Sequence, residues 1–248
     1  MPSSRLEGAG TTRAVAKAML RTGRAPQDHG ERVIHNTYLA MQALERWRDQ
    51  PLTPEAVFEI HRLLSADTLD DPAQGGRLRT ARDNIVVEDD TGRVLHLPPH
   101  ADELPARLQA WCDFANGTNE HGVLHPVIRA IALHFQIGYD HPICDGNGRA
   151  ARTLFFWSML RSGYWLTEFL SVSSVFRRTK GQYLRASLHT ETDEADLGYF
   201  VDHHLDVMLG ASDGLHGWLA RKAERIQSRP AAAPAGRAAG RHAQSSPA

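Results

Sequence analysis

The chain has 248 residues, of which 42% are hydrophobic and 23% charged, a composition typical of a soluble globular protein rather than a disordered or fibrous one. Its formal net charge is −1, so any phosphate binding must come from a local arrangement of groups rather than from chain-wide attraction. The two cysteines, Cys112 and Cys144, have no disulfide-framework or zinc-site spacing. There is no signal-peptide-like segment and no apolar run of membrane-spanning length, so we expect a cytoplasmic protein.

Helical periodicity runs through most of the chain. Over residues 29–49, apolar side chains recur at three- and four-residue steps and predict an amphipathic helix. Thr53 and Pro54 provide an N-cap and a first-turn proline for a second helix that ends at about Leu64. The same criteria predict helices over about 104–114, 127–139, 149–160, 179–188 and 195–210.

Residues 84–97 have a different pattern. Two β segments, Asn84–Val87 and Val94–Leu97, flank Asp89-Asp90-Thr91-Gly92, which is a hairpin turn signal. From about residue 229 onward the chain is rich in Pro, Ala and Gly, so residues 229–248 are predicted to form a disordered tail. The sequence therefore predicts one all-α domain over about 1–228, a bundle of about seven to nine helices with one β-hairpin.

The segment between the predicted helices 127–139 and 149–160 concentrates groups that suit phosphate. Gly146, Asn147 and Gly148 are residue types that tolerate positive φ, so the backbone can curl and direct successive N–H groups toward one point. A turn that leads into a helix N-terminus is an anion site, because the first amides of a helix lie unpaired at its positive end.

Four side chains around this turn add further chemistry. Arg149 and Arg152 lie three residues apart, hence on one helix face, and can fork onto phosphate oxygens. Asp145 is a hard oxygen ligand that suits Mg²⁺ already carrying phosphates. His141 titrates near neutrality and can accept a proton from an attacking hydroxyl. One short loop thus supplies a base, a metal ligand, an anion site and two cations.

The string His141-Pro142-Ile143-Cys144-Asp145-Gly146-Asn147-Gly148-Arg149-Ala150-Ala151-Arg152 resembles the Fic-family motif His-x-Phe-x-Asp/Glu-Gly-Asn-Gly-Arg-x-x-Arg, and departs from it only in having Ile143 for Phe. The resemblance implies a protein adenylyltransferase, which moves AMP from ATP-Mg²⁺ to a Ser, Thr or Tyr hydroxyl of a target protein, with Mn²⁺ able to replace Mg²⁺. It also implies a role for each position. These are His141 as general base, Asp145 as metal ligand, Gly146, Asn147 and Gly148 as the cradle of the α- and β-phosphates, Arg149 on the β-phosphate and Arg152 on the γ-phosphate.

The likeness extends over roughly residues 3–210 and implies a Fic-type helical bundle with a central motif loop. The hairpin resembles the family's flap, which adds a strand to the target segment and so aligns its hydroxyl. The resemblance therefore implies target docking by Asn84, Ile85, Val86 and Val87.

A second resemblance lies at the front of the chain. Ser3-Ser4-Arg5-Leu6-Glu7-Gly8 resembles the family's inhibitory motif, Ser/Thr-x-x-x-Glu-Gly/Asn. It implies an N-terminal inhibitory helix region at residues 1–25 ahead of a Fic domain at residues 26–228. Glu7 would then pair with Arg152, deny it to the γ-phosphate and so misplace ATP.

Other interpretations remain open at this point. Fic-like sites also transfer other nucleotides, phosphate or phosphocholine, or remove AMP; Gly148 before Arg149 resembles the AMP-transferring version, since the phosphate-transferring one typically has Lys at that position. A metal phosphohydrolase would instead use Asp140-His141 as an HD-like pair and recruit further histidines, namely His61, His125 and His134. That model requires neither the Gly-Asn-Gly turn nor the spaced arginines.

The expected partners follow from the resemblance. They are ATP and a target protein, with self-modification when the target is absent, and a homodimer is compatible with the sequence. Direct binding to nucleic acid is not expected, because the net charge is near zero and the chain lacks a basic recognition-helix pattern.

Overall fold

The computed structural model describes residues 13–88, 91–118, 124–170 and 172–228. Within these ranges the chain forms nine α-helices and a two-stranded antiparallel sheet. The helices are α1 (Arg13–Thr22), α2 (His29–Trp47), α3 (Pro54–Ser65), α4 (Leu104–Asn116), α5 (Pro126–Asp140), α6 (Asn147–Arg161), α7 (Val172–Arg178), α8 (Lys180–Thr192) and α9 (Gly198–Gln227), and the strands are β1 (Val87–Glu88) and β2 (Val94–His96). The predicted all-α class is confirmed.

The centre of the fold is the pair α5 and α6, which pack closely together and are joined by residues 141–146. Because α6 has buried residues on nearly all its faces, it lacks a single apolar stripe. Leu133, Ile137 and Phe155 are each at most 1% exposed, and burying each of them contributes roughly 1.5–3 kcal/mol. The motif loop is therefore held between the two best-buried helices.

The remaining helices surround this pair. Helices α2 and α3 pack on α6, α4 and α9 pack on α5, and α7 and α8 pack on α9. Local capping sets where the helices begin: Asp28 accepts from the Glu31 N–H at 2.7 Å, and Thr53 accepts from the Ala56 N–H at 3.2 Å. No helix among the described residues has both the length and the apolar character needed to cross a bilayer.

The hairpin is shorter than predicted. Its pairs are Val87 with His96 and Glu88 with Val94, and an irregularity in register separates them. The segment Asn84–Val86, predicted as strand, precedes β1, and Asn84 has a left-handed backbone with φ +43°. The reason lies just upstream, where the Asp83 carboxylate accepts from the Thr80 N–H at 2.6 Å and holds residues 81–83 in a 3-10 turn.

Two helices also differ from the prediction. The short helix α7 was not predicted, and α9 continues to Gln227 instead of ending near residue 210. The predicted inhibitory residue Glu7 and the predicted disordered tail at 229–248 lie outside the described residues, as does the turn pair Asp89 and Asp90.

Candidate active site

His141 ends helix α5 in a left-handed conformation, with φ +41° and ψ 58°. Its Nδ1 lies 2.6 Å from the carbonyl oxygen of Gly138. Because a carbonyl can only accept, Nδ1 carries the proton, and in the neutral ring the lone pair is on Nε2. Burial lowers the pKa of His141 to about 4, so the imidazole is neutral near pH 7. The side chain predicted as a base thus has an unprotonated nitrogen and a fixed ring orientation.

The loop after His141 is closed by a side-chain amide. Asn147 accepts from the Ile143 N–H at 3.1 Å and donates to the Ile143 carbonyl at 2.7 Å. Both residues are buried, at 4% and 2% exposed. The Asn147 side chain therefore gives the loop its shape, and only its backbone amide remains available for the predicted phosphate cradle.

Within the Gly-Asn-Gly turn, one glycine has a positive φ. Gly146 has φ +83° and precedes α6, which begins at Asn147, so Asn147 and Gly148 already have helical backbone. The expectation that all three residues would use their tolerance of positive φ is wrong for the last two. The first described helical bond of α6 is from the Ala150 N–H to the Gly146 carbonyl at 2.9 Å. The Asn147 and Gly148 amides precede it, at the positive end of the helix, where an anion is favoured.

Asp145 and Arg149 contact each other. The Arg149 guanidinium donates to Asp145 Oδ2 at 2.9 Å and to the Leu64 carbonyl at 2.7 Å, and the Arg149 side chain is only 5% exposed. Asp145 is 38% exposed, so a cation can reach its carboxylate from solvent. Arg149 thus lies beneath the loop as well as beside the predicted phosphate site.

Arg152 lies three residues further along α6 and is partly exposed. It is close enough to His134 for its charge to contribute to lowering the pKa of that histidine, after burial and the neighbouring His204. The structure therefore brings together His141, Asp145 and the start of α6 through one loop, and places Arg152 on the next turn of the same helix.

Three residues outside the Fic-like motif also bind the backbone of the site; of these, His61 was named above only as a ligand in the hydrolase model. Arg79 donates from Nε to the His141 carbonyl at 2.7 Å. His61 accepts the Gly76 N–H on Nδ1 at 2.9 Å, so its Nε2–H donates to the Asp145 carbonyl at 3.1 Å. His96 of β2 lies with Nε2 at 2.6 Å from the Tyr139 carbonyl. No local motif marks these residues, because each binds a segment that is far away in the chain.

The HD-like hydrolase model finds no support in this arrangement. Asp140 accepts from the Trp111 indole at 2.9 Å and from Arg107 at 3.1 Å, and His134 lies in an aromatic cluster beside His204. Among the described residues, no three His, Cys, Asp or Glu side chains are grouped so that they could hold a metal ion.

Fold and loop together define an all-α bundle built around a helix–loop–helix, with a histidine at the end of one helix and backbone amides at the start of the next. Residues 51–159 match the model of the Fic/DOC family. The family match therefore covers residues 51–159, which include the motif loop, and the resemblance seen in the motif is confirmed.

Curated relatives of the chain are named protein adenylyltransferase Fic. The protein from Nematostella vectensis is 27% identical over 170 residues, which are 65% of this chain and 37% of the relative. The protein from Drosophila willistoni is 31% identical over 166 residues, which are 64% of this chain and 31% of the relative. The chain thus spans about a third of the length of these relatives.

Solved structures share the fold. A Fic family protein from Desulfovibrio desulfuricans has a TM-score of 0.68 and 22% identity, covering 92% of this chain and 64% of that one. A Fic domain containing signaling protein from Bacteroides thetaiotaomicron has a TM-score of 0.67 and 22% identity, covering 87% and 85%.

Proposed function

We propose that the chain is a protein adenylyltransferase that transfers AMP from ATP to a Ser, Thr or Tyr hydroxyl of a target protein. The observation that carries the proposal is the ring of His141, which donates from Nδ1 to the Gly138 carbonyl and so has its lone pair on Nε2. In the reaction, the hydroxyl oxygen attacks the α-phosphorus, its proton passes to His141 Nε2, and pyrophosphate leaves. The names of the curated relatives support the same chemistry.

The start of α6 supplies the charge stabilisation that this transfer requires. Backbone amides of Asn147 and Gly148 at a helix N-terminus favour the phosphates of ATP. Arg152 lies about one turn further along α6, and its proposed role is to bind the γ-phosphate. Most of the catalysis in phosphoryl-type transfer comes from such positioning and charge neutralisation.

Asp145 fits the metal that accompanies ATP. One half-exposed carboxylate is a suitable protein ligand for Mg²⁺, or for Mn²⁺, because Mg²⁺ usually takes only one or two carboxylates and fills its other positions with phosphate and water oxygens. When bound, the ion neutralises charge on the phosphates. The Arg149 bond to Asp145 Oδ2 restrains the carboxylate beside the loop.

The hairpin is the proposed docking site of the target protein. Strands β1 and β2 pair with each other, and Val87 of β1 and the preceding Ile85 and Val86 are partly exposed. An extended target segment can add a strand to such a hairpin through main-chain hydrogen bonds. We take the reaction to be cytoplasmic, consistent with the two cysteines, Cys112 and Cys144, both being free thiols.

The proposal is tested with ATP labelled on the α-phosphate. Wild-type protein with Mg²⁺ should label itself and proteins of a cell lysate, and mass spectrometry should find one AMP added to a hydroxyl side chain. His141→Ala should abolish labelling while ATP still raises its melting temperature, whereas the exposed α9 variant His216→Ala should label as wild type does. Full labelling by His141→Ala contradicts the assignment of the base, and phosphate or another nucleotide in the adduct contradicts AMP transfer.

We further propose that Glu7 restrains the activity by pairing with Arg152. Removing a charged hydrogen bond worth about 1.5–3 kcal/mol should release Arg152 for the γ-phosphate, so Glu7→Gly should raise the rate of self-labelling by about tenfold or more. Ser4→Gly is the control within the same segment. A folded Glu7→Gly protein with an unchanged rate contradicts the inhibitory role.

A further inference from the structure

The end of α5, where the proposed base lies, has five consecutive main-chain carbonyl oxygens that each accept a hydrogen bond, those of residues 138–142. The last carbonyls of a helix normally have no partner within the helix. Here His141 itself binds the first and His96 the second, and Arg79 binds the other three. Most of the bonds that fix this helix end therefore come from one residue outside the motif.

Arg79 makes these bonds with both its main chain and its side chain. Its N–H donates to the Pro142 carbonyl at 2.8 Å, and its guanidinium donates from Nε to the His141 carbonyl at 2.7 Å and from Nη2 to the Asp140 carbonyl at 3.2 Å. Nη2 also donates to the Pro99 carbonyl at 2.6 Å. Arg79 is 7% exposed, and the planar, rigid fork of its guanidinium is what allows one side chain to reach three carbonyls.

The conformation of His141 makes such a clamp necessary. A left-handed backbone is unfavourable for a residue with a Cβ and persists only where the surroundings fix it. Arg79 holds the carbonyls on both sides of the His141 φ and ψ angles, those of Asp140 and His141. Rotation there would break these two bonds and leave the Nε–H of a buried guanidinium without its acceptor, which is unfavourable.

The same guanidinium connects the base to the hairpin. Residue 79 precedes β1 and Pro99 follows β2, so Arg79 binds both ends of the hairpin segment to residues 140–142. Its positive charge also contributes to lowering the pKa of His141, after burial and the charge of His96. The Arg79 side chain thus influences the position of His141, its protonation and its link to the hairpin proposed to dock the target.

We propose that Arg79 is a positioning residue for His141, which it fixes in the left-handed conformation and at a set distance from the hairpin that docks the target. The inference rests on the proposed function for the catalytic role of His141, but the placement of the ring is measurable without any transfer assay. If Arg79 only stabilised the fold, replacing it would change kcat and the His141 tautomer no more than replacing a matched arginine elsewhere.

The kinetic test compares Arg79→Gln, Arg79→Lys and Arg129→Gln. Arg129 is the matched control, because it donates to the Phe114 carbonyl at 3.3 Å near the start of α5, the opposite end from His141. Arg79→Gln should lower kcat for self-adenylylation by about 100-fold with KM for ATP changed by less than about threefold, since a small misplacement of a catalytic group affects the chemical step. Arg79→Lys, which keeps the charge without the fork, should fall between Arg79→Gln and wild type.

The structural test uses nitrogen NMR of the imidazole rings. Wild type and Arg129→Gln should show His141 as the Nδ1–H tautomer, and Arg79→Gln should show a mixture of tautomers because the ring loses its fixed relation to the Gly138 carbonyl. This NMR measurement can be made even if the wild-type protein transfers no AMP. The positioning role of Arg79 and the proposed adenylyltransferase activity can therefore fail independently.

Three outcomes would overturn the inference. The first is a folded Arg79→Gln protein with wild-type kcat, and the second is one with an unchanged His141 tautomer. The third is rapid exchange of the Arg79 Nε–H with solvent in the wild-type protein. A buried bond to the His141 carbonyl requires this exchange to be slow. Because this measurement needs no variant, it applies even if both Arg79 variants fail to fold.

Discussion

Ile143 and Asn147 are the two residues that give the motif loop its shape. Asn147 binds both the N–H and the carbonyl of Ile143, and the Ile143 side chain points into the core with 2% exposure. The loop is therefore fixed from below by packing and from within by one amide. Since the family motif has Phe at this position, the space beneath the loop must be shaped here for a smaller side chain.

Enlarging that side chain tests how closely the loop is packed. Ile143→Phe should lower the free energy of unfolding by about 1–3 kcal/mol, because extra atoms in a filled core force strained rotamers, and Ile143→Val should lower it by about 0.5–1.5 kcal/mol. Urea denaturation measures both, with Ile226→Phe as the control since Ile226 is 64% exposed. A more stable Ile143→Phe protein would mean instead that the site leaves room for the Phe of the family motif.

At the scale of elements, one histidine of the hairpin joins it to two helices. His96 of β2 lies 2.9 Å from Glu191 of α8 through Nδ1 and 2.6 Å from the Tyr139 carbonyl through Nε2. Burial lowers the pKa of His96, but the hydrogen bonds to Glu191 and Tyr139 outweigh it and raise the pKa above the ordinary value. A protonated ring donates at both nitrogens, so the charged form is the one that joins the hairpin to α5 and α8.

This pairing makes a prediction about pH. Because the folded-state pKa of His96 is raised, its contribution to stability is fully present below about pH 6.5 and is lost as the pH rises through the raised pKa. Glu191→Gln should therefore be less stable than wild type by on the order of 1 kcal/mol below about pH 6.5, with the difference shrinking at higher pH. Urea denaturation over a pH series measures this, and the exposed α9 variant Glu224→Gln should show no such trend. A difference that grows as pH rises would refute the charged pair.

The elements that the sequence predicted are those with strong local signals. Helix α3 follows the Thr53-Pro54 cap, α5 follows His125-Pro126, and the Gly-Asn-Gly turn marks the start of α6. The short α7 offers seven residues and no clear period, and α9 continues past Gly210 and Gly214, which are weak helix formers. Asn84–Val86 have strand-like side chains, but the Asp83 turn before them decides the backbone.

The residues of the candidate site also divide into those with a local sequence signal and those without one. His141, Asp145 and the start of α6 are contiguous in the chain, so a motif could identify them. Arg79 binds the loop from 62 residues away, and His96 binds the end of α5 from 43 residues away. Only tertiary packing brings these residues to the loop, and one sequence carries no local pattern for such a contact.

At the scale of the whole molecule, α5 and α9 are joined by two buried histidines. His204 donates from Nδ1 to the Phe200 carbonyl at 2.8 Å, so its Nε2 accepts from His134 Nδ1 at 3.1 Å. Phe155, Phe176 and Phe200 surround the pair. Burial lowers the pKa of His204 to about 3 and that of His134 well below its ordinary value. His203 adds to both shifts, and His204 and Arg152 add to that of His134. Both rings are therefore neutral in the folded protein.

Neutral buried histidines make the fold sensitive to acid. Their folded-state pKa values lie below the unfolded value of about 6.5, so the stability is complete above that pH and is lost progressively as the pH falls toward the folded values. The free energy of unfolding should thus decline below about pH 6.5 by up to about 1.4 kcal/mol per pH unit for each histidine. His204→Gln keeps an acceptor for His134 without titrating. Its free energy of unfolding should therefore fall less steeply with decreasing pH, by about the contribution of one histidine, while the exposed variant His216→Gln should follow wild type. Urea denaturation between about pH 7 and about pH 4 decides the matter, and equal slopes for wild type and His204→Gln would show that the acid sensitivity arises elsewhere in the chain.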